Sequence, residues 1–176
     1  MIVNLRGTSG SGKTYVTMKT IELMNGKPFV DEWTGEVLGY ELDYGVTVIG
    51  LYPGGCGGCD RIKTVGEVEH RVKTAAKHGH VLFEGLILST IYGRFAALAK
   101  EFPFVWAFLD TSKEQSLANL TARNNGKPFN RDNIEGKWEL AKRHRTQAIN
   151  DGFTVLDIPM ATGEYVLRDL FYNATP

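Results

Sequence analysis

Eight consecutive residues, Gly7-Thr8-Ser9-Gly10-Ser11-Gly12-Lys13-Thr14, fit the phosphate-cradling pattern G-x-x-x-x-G-K-[ST] at every fixed position. Their chemistry is anion binding. Glycines at 7, 10 and 12 let the backbone turn through positive φ and bring N–H groups up to phosphate oxygens. A helix starting at Lys13 adds free amides and the positive end of its dipole. Lys13 can then reach the β- and γ-phosphates of a nucleoside triphosphate, and the Thr14 hydroxyl can ligand Mg²⁺. The flanks agree: Ile2-Val3-Asn4-Leu5 suits a buried strand, and the segment from Lys13 to Met24 suits a helix. Gly7 to Thr14 is therefore expected to hold a nucleoside triphosphate, with ATP and Mg²⁺ as cofactors.

The elements that must position this loop are legible along the rest of the chain. Asn25-Gly26-Lys27-Pro28 ends the first helix. Short apolar runs between Phe29 and Leu51, separated by turns at Trp33-Thr34-Gly35 and Asp43-Tyr44-Gly45, predict a hairpin-like excursion followed by a core strand at 46–51. A Gly-rich loop, 52–63, follows at that strand's C-terminal end. Thr64-x-x-Glu67 is a capping box opening a helix. His80 to Leu86 predicts a strand, 89–102 a helix, and 104–109 a further buried strand. Thr111-x-x-Glu114 is a second capping box, opening a helix to about Arg123. Asn124-Asn125-Gly126-Lys127-Pro128 breaks it. The longest helix is expected over 130–150, with Ile134, Trp138, Ala141, Ala148 and Ile149 facing the core. A strand at 153–158 and a helix at 163–172 close the chain. Strands alternating with helices give an α/β architecture with a mostly parallel sheet of five strands flanked by helices, in one domain spanning residues 1–176.

Composition narrows the classes. The 176 residues carry 20 basic and 20 acidic side chains, and this zero balance gives no support to a bulk electrostatic nucleic-acid binder. No apolar run is long enough to span a bilayer, so no membrane partner is expected. Met1-Ile2-Val3 leads straight into the first strand, which leaves no room for a signal peptide and predicts a cytoplasmic location. Cys56 and Cys59 are the only cysteines, and their C-x-x-C spacing supplies half of a four-thiolate zinc site with no second pair. Flanking glycines favour a flexible loop with structural cysteines over a redox or metal role.

A phosphate loop alone does not separate kinases from switch or motor ATPases. The run into Glu84 lacks the terminal Asp of a conventional Walker B strand, and no GTPase base-reading motif is present. Phe104-Val105-Trp106-Ala107-Phe108-Leu109-Asp110-Thr111, with the helix to Arg123 and the broken loop after it, resembles nucleoside and nucleotide kinases. That resemblance implies a P-loop NTPase fold with a short lid at about 123–131, whose arginines close over the phosphates. Arg123 and Arg131 bracket the loop and are the expected lid residues. Lys127 lies between them, and Arg143 in Lys142-Arg143-His144-Arg145 is a further candidate. Asp60, in Gly57-Gly58-Cys59-Asp60-Arg61, resembles the acidic-Arg pair that such kinases place after the second core strand to hold the acceptor and take its proton. Its competing reading is a cap on a nearby turn. Glu84 is the second carboxylate, contacting Mg²⁺ through water, alongside Thr14, or binding the acceptor group; its competing reading is a strand-end carboxylate paired with a neighbouring Arg or Lys. Lys13, Asp60, Glu84, Arg123 and Arg131 are thus the expected catalytic set.

The strings Ile49-Gly50-Leu51-Tyr52, Cys56-Gly57-Gly58-Cys59-Asp60 and Val81-Leu82-Phe83-Glu84-Gly85-Leu86 are similar to those of phage P-loop kinases of DNA hypermodification. That resemblance implies transfer of the γ-phosphate of ATP to the hydroxymethyl group of 5-hydroxymethyluracil in DNA, a step in thymidine hypermodification, with DNA as partner and the host cytoplasm as location. It also implies a base turned out of the stack. The loop at 53–58 and Trp33, Tyr40, Tyr44 and Tyr52 are candidates to shape its pocket, ordinary packing being the alternative for each. Two other functions stay open: a free deoxynucleoside or nucleoside monophosphate kinase, and a nucleotide-binding ATPase module without phosphoryl transfer.

Overall fold

The computed structural model describes residues 1–31, 35–52, 57–125 and 127–175. Seven strands form one sheet in the order β2-β3-β4-β5-β1-β6-β7. Five are parallel: β1 (Ile2–Arg6), β4 (Val46–Ile49), β5 (His80–Glu84), β6 (Phe104–Asp110) and β7 (Thr154–Pro159). These are the five strands expected from the sequence. The excursion before them adds two more, β2 (Lys27–Val30) and β3 (Val37–Leu42), which extend the sheet in antiparallel sense beside β4. The sheet therefore has seven strands rather than five, because the apolar runs at 29–42 alternate well enough to pair. Pro28 sits in the edge strand β2, where its missing N–H breaks no ladder.

Strand periodicity sorts the core into two layers. On β1, Val3 and Leu5 face one side with Val105, Ala107 and Leu109 of β6, under α1 (Lys13–Leu23) and α7 (Gly163–Ala174). Ile2 faces the other side with Phe83, Phe104, Trp106 and Phe108. That side is covered by α2 (Val65–Ala76), α3 (Leu86–Ser89), α4 (Gly93–Glu101) and α6 (Arg131–Asn150). A satellite cluster of Leu117, Leu120 and Ile134 joins α5 (Lys113–Arg123) to α6. The chain leaves β1 towards β4 and β5, then crosses to β6 and β7. β1 is thus the topological switch point, and its C-terminal edge is where ligands bind in open α/β sheets.

The same alternation drives Arg6, the last residue of β1, into the core, where it is fully buried with no carboxylate partner among the described residues. Its guanidinium lies 4.6 Å from the Trp106 ring centre. Nη2 meets the carbonyl oxygens of Leu88, Ser89 and Ile91 at 3.0, 2.9 and 2.8 Å, and Nη1 donates to Asn4 Oδ1 at 3.1 Å. Burial lowers its pKa to about 9, which keeps it charged at neutral pH. The three carbonyls belong to the end of α3 and the turn after it. They account for the break between α3 and α4 where one continuous helix over 89–102 is expected from sequence. His144 of α6 is buried beside Arg6, with Nδ1 3.4 Å from Nη2 and 3.3 Å from the Ser89 carbonyl oxygen.

Other boundaries shift by small amounts for visible reasons. Thr64 caps α2 as expected, accepting from the Glu67 amide. The cap of α5 is Ser112, accepting from the Gln115 amide, and not Thr111, whose hydroxyl donates instead to the Ser11 carbonyl. Ile149 is exposed rather than core-facing, and His144 takes the buried position. No helix is long and apolar enough to cross a membrane among the described residues.

Two measurements test this core. Arg6→Met removes the guanidinium donor from the Leu88, Ser89 and Ile91 carbonyls and should cost about 3 kcal/mol or more in urea unfolding, with Arg6→Lys intermediate. A loss below about 1 kcal/mol would show that the cage does not hold the α3–α4 turn. Burial, and then Arg6, hold the His144 pKa below its usual 6.5. The unfolded chain therefore takes up the proton more readily, and stability present above about pH 6.5 is lost as pH falls below it, by up to about 1.4 kcal/mol per pH unit. His144→Gln should show a shallower decline in urea midpoint between about pH 7.5 and about pH 5.5.

Candidate active site

The loop after β1 is anchored from four directions before any ligand arrives. Its Gly7 amide donates to Ser89 Oγ of α3 at 3.3 Å. Thr8 Oγ1 donates to the Ile134 carbonyl of α6 at 3.2 Å, and Thr111 Oγ1 to the Ser11 carbonyl at 2.8 Å. Asn119 Nδ2 of α5 donates to the Gly10 carbonyl at 2.8 Å. Gly10 and Gly12 have φ of 77° and 97°, and a Cβ at Gly12 would stand 2.7 Å from Met160 Sδ, so this path admits only glycine there. The amides of Gly12, Lys13 and Thr14, at the start of α1, find no acceptor among the described residues. They are free to bind an anion.

Lys13 is buried, and its Nζ folds back onto the carbonyls of Gly7 at 2.8 Å and Thr8 at 3.0 Å. Burial lowers its pKa, Glu84 and Asp60 oppose that, and Arg123 and Lys137 lower it further. Thr14 Oγ1 donates to Glu84 Oε1 at 3.0 Å. Glu84 ends β5, the strand beside β1, so parallel pairing alone brings it to the loop. It is 1 % exposed, and burial raises its pKa to about 7 against the pull of Lys13 and the Thr14 hydroxyl. Among the described residues Glu84 meets the Thr14 hydroxyl and no Lys or Arg within ion-pair distance.

Gly58 presses on the other side of this carboxylate, where a Cβ would come within 2.3 Å of Glu84 Oε1. The described part of the Gly-rich loop is packed rather than flexible: Gly58 bridges to Leu51, and Cys59 is buried with Sγ donating to the Ile49 carbonyl at 3.3 Å. Burial pushes the Cys59 thiol well up, consistent with a structural cysteine. Cys56, Trp33 and residues 53–55 lie outside the described residues. Among those described, no cluster of three or more His, Cys, Asp or Glu offers a metal site.

Asp60 follows, exposed, with both oxygens accepting amides at the start of α3, from Leu86 at 2.7 Å and Ile87 at 3.1 Å. It caps a turn and also lines the site. One cavity of about 510 Å³ is bounded by Lys13, Thr14, Glu84, Asp60, Gly57 and Tyr15, and on its far side by Asn119, Arg123 and Met160. Of the two expected lid arginines, Arg123 is in this cavity, whereas Arg131 lines a separate one with Lys113, Lys127 and Glu135. Arg143 faces yet another surface, with Lys142 and Gln147. Tyr40 and Tyr52 pack together with ring centres 6.0 Å apart, beside Tyr15 in a groove against α1. Tyr44 lies before β4, at the opposite edge of the sheet, against Tyr172.

Sequence reasoning missed Arg6, Ser89, Asn119 and Met160, all of which act through contacts distant in sequence.

Residues 2–162 match the family model described as 5-hmdU DNA kinase. A 5-hmdU DNA kinase of Pseudomonas phage M6 is 34% identical over 184 residues, covering 96% of this chain and 94% of the relative. One from Pseudomonas phage PaMx11 is 28% identical, covering 98% and 94%. The 5-hmdU DNA kinase 1 of Salmonella phage ViI is 28% identical over 148 residues, covering 80% and 67%. The family match takes in the loop at 7–14, Asp60, Glu84 and the helix that carries Arg123, and with the relative at 34% identity it shows that the chain belongs to the 5-hmdU DNA kinase family.

Proposed function

We propose that this chain is a P-loop kinase that transfers the γ-phosphoryl group of ATP to the hydroxymethyl oxygen of 5-hydroxymethyluracil in DNA. The observation that carries the reading is the single cavity where Lys13, Thr14, Glu84 and Asp60 meet at the C-terminal edge of β1 and β5. The names of the relatives supply the acceptor. Such chemistry takes place where phage DNA is made, in the host cytoplasm.

Phosphoryl transfer asks the protein mainly for position and charge neutralisation. The unpaired amides of Gly12, Lys13 and Thr14 would receive phosphate oxygens, and Lys13 would leave its own carbonyls to reach the β- and γ-phosphates. The Thr14 and Glu84 oxygens, 3.0 Å apart, suit a cation that takes few protein ligands and keeps waters and phosphates. These two residues would hold Mg²⁺, which when bound neutralises charge between the phosphates. Asp60 is fixed by its two amide bonds and retains lone pairs towards the cavity, which suits it to orient the acceptor hydroxyl. The hydroxymethyl oxygen forms a bond to the γ-phosphorus as the bond to the β–γ bridging oxygen breaks. ADP leaves with that electron pair, and the hydroxyl proton passes to Asp60. An acceptor base within a polymer must turn out of its stack to bring its hydroxymethyl group here.

Labelled ATP offered with 5-hydroxymethyluracil DNA, free 5-hydroxymethyldeoxyuridine and thymidine monophosphate separates the readings. Label is expected on the polymer. Label only on a small nucleoside or nucleotide would replace the acceptor, and phosphate released with every acceptor unlabelled would remove the kinase assignment. Lys13→Met should lower kcat by about 10³-fold. Asp60→Asn should lower it by about 10²-fold, and undiminished transfer in that variant would take the proton-accepting role from Asp60.

A further inference from the structure

Tyr15, Tyr44, Tyr165 and Tyr172 are the exposed tyrosines among the described residues. Tyr44 and Tyr172 cover each other edge to face with ring centres 5.3 Å apart, and the Arg168 guanidinium lies 5.4 Å from the Tyr165 ring centre. Tyr15 is 54 % exposed and makes neither a ring contact nor a side-chain hydrogen bond among the described residues. It is also the one of the four that lines the active-site cavity. Its neighbours Val16, Thr17 and Thr20 are buried and seat α1, so the ring is attached at a fixed point one residue past Thr14. Tyr15 lines a second groove as well, of about 440 Å³, together with Met18 and Ile21 of α1, Tyr40 of β3 and Tyr52 just past β4. The charged residues of that groove, Lys19 and Glu22, bond each other at 2.8 Å, which leaves it neutral. Tyr15 is therefore a wall common to the cavity at Asp60 and Glu84 and to a neutral groove with aromatic lining.

We propose that this groove takes the base of the nucleotide next to the acceptor in the DNA strand, and that Tyr15 is the platform on which that base stacks. This rests on the reading that the acceptor is a base within DNA. A 5-hydroxymethyluracil held at Asp60 is covalently joined to its neighbours, so the strand has to leave the cavity across one of its walls. Tyr15 is a wall that continues into a second site. An unpartnered ring offers its π-face to any base without reading sequence. A grip by stacking also fits a chain whose 20 basic and 20 acidic side chains cancel, since no bulk field is there to hold the phosphates. The same contact favours a polymer over a free nucleoside, which brings no neighbouring base to the groove.

The test uses the full chain, ATP and single-stranded oligonucleotides with one central 5-hydroxymethyluracil, intact or with an abasic residue on its 5′ or its 3′ side. Tyr15→Ala should raise KM for the intact oligonucleotide about tenfold or more, with kcat and the KM for ATP changed less than about threefold. Tyr15→Phe and Tyr15→Trp should stay within about threefold of the parent, because each keeps a π-face. In the parent, one of the two abasic substrates should show the same rise in KM, and Tyr15→Ala should lose nothing further on that substrate. The dependence of DNA affinity on salt should be equally steep in Tyr15→Ala and the parent, since no phosphate contact is removed. The ring is half exposed and alanine suits a helix, so the unfolding midpoint of Tyr15→Ala should match that of the parent. An unchanged KM for DNA in Tyr15→Ala, a loss that falls on the KM for ATP instead, or further losses in that variant on both abasic substrates overturns the role of Tyr15 while leaving the acceptor assignment intact. A parent that labels only a free nucleoside or nucleotide overturns the acceptor assignment, and this proposal with it.

Discussion

A buried guanidinium with no carboxylate partner among the described residues is the constraint on which this structure turns. Arg6 ends β1, and period-two alternation gives it no choice but the core face that it shares with Trp106 and Phe108. An unpaired charge there is tolerable only if oxygens replace its water, and the chain supplies three main-chain carbonyls from 88–91. Those carbonyls are available because α3 stops. Stopping α3 there leaves Ser89 Oγ to accept from the Gly7 amide and to donate to the Gly85 carbonyl at 2.8 Å. One side chain thereby ties the end of β1, the turn after β5 and the first residue of the loop at 7–14 into a single arrangement.

This explains where reading the sequence succeeded and where it did not. The five parallel strands and the Thr64 cap are local patterns, and each appears where its pattern lies. Thr111 and Ser112 both begin a plausible cap, Thr111-x-x-Glu114 and Ser112-x-x-Gln115, so local rules could not choose between them. A tertiary bond chose, because the Ser11 carbonyl takes the Thr111 hydroxyl. A continuous apolar spacing over 89–102 reads as one helix unless it is known that Arg6 arrives from a strand more than eighty residues earlier. Asn119 and Met160 join the site in the same way, through α5 and the turn after β7 folding over Gly10 and Gly12.

The two carboxylates show how one motif can host different environments. Glu84 is enclosed by Gly58, Thr14 and the sheet, and burial raises its pKa. Asp60 stands in solvent on the rim, satisfied by the amides of Leu86 and Ile87. Glu84 ends β5, whereas Asp60 lies in the loop well beyond β4 and is fixed by the amides of Leu86 and Ile87, so its place depends on loop conformation as well as on sheet register. A side chain at Gly58 would displace the Glu84 carboxylate, and one at Gly57 would meet the Leu51 carbonyl at 2.3 Å.

Lys13 holding its own loop has a consequence for what can enter. Its ammonium already has two carbonyl partners in the protein, so an incoming anion competes with the chain for it. Charge-assisted bonds of this kind are each worth about 1.5–3 kcal/mol, so a ligand with a single phosphate does little more than exchange one set of partners for another. On the proposed reading, a chain of phosphates would meet the free amides, Lys13 and Arg123 at once and gain from all of them. The self-bonded lysine would then act as a built-in rival that sets a threshold, favouring longer polyanions over orthophosphate.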